Sequence, residues 1–106
     1  MTSRIVIVGY KPKPGKESAL ELLMESHVSR LRDEGLVSDR ESIVMKSKDG
    51  TIVEVFEWKS KEAIESAHSN KEVLKMWQEY SEVCEYVPIG GITESNELFS
   101  EFTPLN

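Results

Sequence analysis

Three residues of this chain have the chemistry to move protons near neutral pH: His27, His68 and Glu54. An imidazole with an unperturbed pKa of about 6.5 populates both protonation states there, so either histidine is a candidate base. His68 ends the stretch SKEAIESAH and is the first candidate, although a histidine at a helix break more often caps or packs. His27 falls on an apolar stripe with Leu23, Met24 and Leu31 and is expected to point toward a sheet. Its plain alternative is a hydrogen-bonded core residue. Glu54 interrupts the alternating set Ile52, Phe56 and Trp58 in mid-strand, and a buried carboxylate requires a partner. Glu57 has the opposite parity and is the alternative carboxylate.

Were Glu54, His27 and His68 to converge, they would make a two-histidine, one-carboxylate metal site. Their positions carry no metal-ligand spacing, so no metal ligand is assigned. Trp58, Trp77, Tyr80 and Tyr10 are candidates to line an aromatic pocket for a flat apolar molecule, each with a polar edge. The single cysteine, Cys84, reads as a buried thiol on the last helix, and no nucleophile is assigned. No phosphate-binding glycine loop, nucleophile elbow or dinucleotide fingerprint is present.

These side chains must be held by regular elements. Ile5 to Val8 is a β-branched apolar run that reads as a first strand with both faces apolar, closed by Pro12 and Pro14. One long amphipathic helix is expected from Pro14-Gly15 to Gly35. Ser42 to Lys48 and Thr51 to Trp58 flank Asp49-Gly50, a hairpin turn dipeptide. Ser60 starts a helix, Ser69-Asn70 breaks it, and Lys71 to Glu85 carries Val73, Leu74, Trp77 and Tyr80 on one side. The loop from Tyr86 to Glu97 is long enough to cover a cavity mouth, and Leu98 to Pro104 is expected to form the last strand.

The order β, α, β, β, α, β is the ferredoxin-like split βαβ plan: an α+β fold, four antiparallel strands with the helices on one face. Residues 1–106 are read as one domain, because 106 residues leave no material for a second core. Two helices cover one face only, while Ile5 to Val8 and Ile52, Val53, Val55 and Phe56 supply apolar residues to both faces. A homodimer through the uncovered sheet face is expected.

With 39% hydrophobic and 30% charged residues the chain has globular composition. A net charge of -6 with interleaved signs excludes a phosphate-neutralising stripe, so no nucleic-acid partner is expected. The apolar start is too short for a membrane span or signal peptide. With a lone cysteine, cytoplasmic residence is the expectation.

Strand Ile5 to Tyr10, the hairpin at Asp49-Gly50, the strand end Glu57-Trp58-Lys59-Ser60 and the helix Glu62-Ala63-Ile64-Glu65-Ser66-Ala67-His68 together resemble the antibiotic biosynthesis monooxygenase-like group of dimeric α+β barrels. The resemblance implies a small-molecule pocket with Trp58 and His68 lining it, and oxygenation of phenolic or quinol-type substrates without a cofactor. In that chemistry a base, here His68, removes a proton to give an electron-rich anion that reacts with oxygen directly. The haem-degrading relatives carry an asparagine on the first strand, a tryptophan where this chain has Ala67 and a histidine where it has Trp77, so no haem is implied. The same fold also suits a non-catalytic small-molecule binder.

Overall fold

The computed structural model describes residues 2–106. Its elements are β1 (Arg4–Pro12), α1 (Glu17–Met24), α2 (His27–Asp33), β2 (Ile43–Lys46), β3 (Ile52–Trp58), α3 (Lys61–Ala67), α4 (Lys71–Val83), β4 (Cys84–Val87) and β5 (Thr103–Pro104). The strands form one antiparallel sheet in the order β4-β1-β3-β2-β5, with the helices on one side. The α+β, ferredoxin-like plan expected from the sequence is the observed one.

β1 and β3 form the centre of the sheet, and their register fixes both faces. Val6 pairs with Phe56, Val8 with Glu54 and Tyr10 with Ile52. Side chains alternate across a strand, so this set shares the helix-facing side, whereas Ile5, Ile7, Gly9, Val55 and Glu57 share the other. The hairpin turns where the sequence places it. Gly50 takes φ +94°, a conformation that disfavours side chains, and Asp49 Oδ1 accepts from the Thr51 N–H at 2.9 Å and contacts the Ser47 hydroxyl.

The expected long first helix is two helices. In an unbroken helix Leu23 C=O would accept from the His27 N–H. Instead it accepts from Ser26 N at 3.2 Å, from Ser26 Oγ at 3.4 Å and from the Tyr80 hydroxyl at 2.9 Å, and the helix restarts with Arg30 N on Ser26 O at 3.0 Å. A partner from α4 thus takes up a carbonyl that helical continuation would have used.

Downstream, Ser60 and Asn70 cap α3 and α4, accepting from the N–H of Ala63 and of Val73 at 3.1 Å each. Leu74, expected on the buried side of α4, is 45% exposed, while Val73, Met76 and Tyr80 face the core. The chain passes from α4 to β4 with no loop: Val83 is the last helical residue and Cys84 the first of the strand. Cys84 is therefore a strand residue, buried, with its Sγ donating to Tyr80 O at 3.2 Å; burial pushes the thiol up to about 11.

The fourth strand of the plan is this Cys84–Val87 segment, beside β1, and not Leu98 to Pro104. Only Thr103–Pro104 pairs, at the opposite edge beside β2, while Leu98 and Phe99 stand exposed. The segment after β4 forms two 3₁₀ turns, Ile89–Gly91 and Thr93–Asn96, which lie over the outer face of the sheet and not on its helix side, with Ile89 and Ser95 bordering a groove there. There Glu94, buried, accepts from the Lys48 N–H at 2.9 Å and pins the segment to the hairpin. Gly9 lies against it and against β4: a Cβ there would meet Ile92 Cδ1 of the segment at 3.1 Å and Val87 O of the strand at 2.6 Å. Ile92 of this strap and Val53 of the sheet are buried, whereas Ile5, Ile7 and Ile43 remain 58%, 49% and 56% exposed. Among the described residues no helix is long and apolar enough to cross a membrane.

Candidate functional site

Between the helix-facing side of the sheet and α2 and α4 lies a cavity of about 390 Å³. The sheet supplies Val6, Val8, Phe56 and Trp58 to its wall, and the helices supply Leu31 and Trp77. Tyr10, His27 and Tyr86 add the polar edges. Tyr86, 48% exposed on the edge strand β4, opens this side to solvent. Larger grooves of about 620 Å³ and 680 Å³ lie against β2 and the outer face, but neither is lined by a buried titratable group.

Behind the wall sits a polar cluster in an otherwise apolar core. Glu54 is fully buried, with His27 and Tyr10 at 4% and 1% exposure. The Tyr10 hydroxyl donates to Glu54 Oε1 at 3.0 Å, and His27 Nδ1 lies 2.7 Å from the same oxygen. This close polar contact falls short of an aligned ring N–H hydrogen bond, and Glu54 Oε2 is buried without a partner. Two bare lone pairs at this separation repel, so the pair must hold a proton between them. Carried on Nδ1, that proton would leave Nε2 as an acceptor on a residue that lines the cavity.

Aromatic rings fix the imidazole. Phe56 and Tyr80 meet it edge-on, with centroids at 5.4 Å and 5.3 Å, and Tyr10 lies at 6.0 Å. Burial, then the charge of Glu54, raises the Tyr10 hydroxyl well above its ordinary value, and burial raises those of Tyr80 and Tyr86 likewise. All three stay neutral donors through the physiological range.

The sequence-selected residues divide cleanly. His27, Glu54, Trp58, Trp77 and Tyr80 come together at this cavity or its polar cluster. His68 does not: it is exposed at the C-terminal cap of α3, with its ring 5.3 Å from Trp77 and outside the cavity lining. The imagined convergence of both histidines with Glu54 is therefore replaced by a pair, and among the described residues no group of three His, Cys, Asp or Glu side chains is placed to hold a metal ion. Glu57 faces the opposite side of the sheet, where it accepts from Ser38 Oγ at 2.6 Å, Ser3 Oγ at 2.7 Å and Arg40 Nε at 3.2 Å. The hydrogen-bonding role of Tyr10 was the feature that residue types left unread. Its signal was parity, since Tyr10 and Glu54 fall on one face once β1 and β3 are paired.

No family model and no curated protein matches the sequence at a significant level. Solved structures do match. SnoaB, a cofactor-independent oxygenase from Streptomyces nogalater, superposes with a TM-score of 0.67 at 9% identity, covering 82% of this chain and 88% of that one. Rv0793 from Mycobacterium tuberculosis gives 0.65 at 21% identity, over 81% and 89%. PA3566 from Pseudomonas aeruginosa gives 0.61 at 15%, over 82% and 93%. These likenesses show a shared fold.

Proposed function

We propose that this protein is a cofactor-independent monooxygenase acting on a small aromatic or quinol-type molecule held between the sheet and its helices. The observation that carries this reading is one polar cluster, His27 against buried Glu54, set in the wall of an apolar aromatic cavity. A flat substrate fits between Trp58, Phe56 and Trp77, and its acidic hydroxyl is the group that meets His27.

His27 Nε2 takes the hydroxyl proton, and Glu54 stabilises the imidazolium that forms. The resulting anion is electron-rich at a ring carbon and adds oxygen there. Loss of water from the hydroperoxide takes the one hydrogen of that ring carbon and leaves C=O, while the former hydroxyl becomes the second carbonyl of a quinone-type product. One oxygen atom ends in the product, the other in water, and the substrate supplies all four electrons. The apolar wall excludes bulk water from the anion. The base assigned is His27 and not His68, because His68 is exposed and outside the cavity lining, with its ring against Trp77.

The test is oxygen uptake by the purified protein over a panel of hydroxylated one- to three-ring aromatics. His27→Ala is expected to lower the rate by about 10² to 10⁴-fold and His68→Ala to change it little. Equal loss in both variants would reassign the base. Binding with no uptake across the panel would favour a non-catalytic carrier, the reading that the mostly apolar lining supports. A second copy packed on Ile5, Ile7 and Ile43 would cover the open part of the outer face, and native mass spectrometry reads the subunit number directly.

A further inference from the structure

A carboxylate that orients a histidine must itself be oriented, and here the sheet register provides the means. Val8 stands directly opposite Glu54, which makes Tyr10, two residues along β1 on the same face, the diagonal neighbour of Glu54. Diagonal neighbours are close enough for a tyrosine side chain to span. The Tyr10 hydroxyl reaches Oε1 at 3.0 Å, on the oxygen that also contacts His27.

We propose that Tyr10 is a positioning residue: its hydroxyl holds Glu54 Oε1 against His27 Nδ1, which fixes the imidazole proton on Nδ1 and leaves Nε2 as the acceptor toward the cavity. This rests on His27 being the base. Without the Tyr10 hydroxyl, Glu54 would rotate to satisfy Oε2, which already has no partner. The other groups facing the pair do not substitute for it. Tyr80, on α4, spends its hydroxyl on Leu23 O at 2.9 Å, and Tyr86, on β4, is half exposed. Arg30, on α2, is bound to Glu79 of α4 at 2.9 Å.

The sign of the effect follows from the charges. A donor removed from a carboxylate leaves its negative charge less stabilised, so the pair binds its next proton more tightly. In Tyr10→Phe the titration of His27 is expected to move to higher pH by about one unit, a tenfold tighter proton, with His68 unmoved. The low-pH limb of kcat/KM should move with it. Side-chain ¹⁵N NMR of the unaltered protein supplies a readout that needs no variant: the neutral His27 ring should carry its proton on Nδ1. A ring protonated on Nε2, or a folded Tyr10→Phe protein with an unmoved His27 titration, would overturn the proposal. These readouts do not use turnover. A protein that consumes no oxygen yet shows the Nδ1 tautomer and the shifted titration would sink the oxygenase reading and leave the role of Tyr10 standing.

Discussion

Glu54 and Glu57 sit three residues apart on one strand, and the sheet sends them into opposite environments. Glu57 is met by two serine hydroxyls and an arginine, all on its own face, and hydrogen bonding from Ser38, Ser3 and Arg40 holds its carboxyl down at about 2. Glu54 has a single hydroxyl donor and an imidazole, both on one oxygen, and leaves the other bare in the core. A carboxylate that serves structure is saturated with donors. One with a spare oxygen and a titratable neighbour keeps the freedom to follow a proton, and incompletely satisfied buried groups beside cavities mark candidate sites for that reason.

The contrast is open to attack from several directions. Glu54→Ala should have the largest effect, about 3 to 5 kcal/mol of stability by urea denaturation, because it strands His27 and Tyr10 in the core. Glu54→Gln keeps the shape and an acceptor for Tyr10 and should cost about 1 to 3 kcal/mol. If both variants were as stable as the parent, His27 and Tyr10 would not depend on the Glu54 carboxylate.

The Glu57 network makes a pH prediction of opposite character. Its folded value lies below the ordinary carboxylate value of 4.5, at about 2. Its contribution to stability is therefore fully present above pH 4.5 and is lost as pH falls through about 2. Thermal melts across that window should show an acid-side decline that is shallower in Glu57→Gln. The smallest effect is expected for Ser38→Ala, which removes the strongest of the three donors and should shift that decline to slightly higher pH while leaving ligand binding untouched.

Much of this was legible in residue order. Parity put Glu54 and Glu57 on opposite faces without saying which met the helices, Asp49-Gly50 announced the hairpin, Ser60 marked a helix start and Ser69-Asn70 the break before the next. What escaped was decided by contacts between distant segments. Glu25 and Ser26 contain no helix breaker, and the first helix divides because Tyr80, 57 residues away, binds the Leu23 carbonyl. The periodic pattern of α4 runs into Cys84, so nothing local announces β4; pairing of Cys84 with Pro12 and Val87 with Gly9 creates it. His68 read as a site residue because its neighbours resemble a pocket helix, yet its position at the cap turns it to the surface.

The missing loop between α4 and β4 has a mechanical consequence. Trp77 and Tyr80 on the helix and Tyr86 on the strand belong to one continuous piece of backbone, fastened at its bend by Lys13 N on Val83 O at 2.8 Å. With no slack at the bend, a ligand that pushes the tryptophan outward must also drag the edge tyrosine. The cavity wall therefore behaves as a bent lever with its fulcrum at Cys84, and entry should be felt as strain along the whole β1–β4 seam.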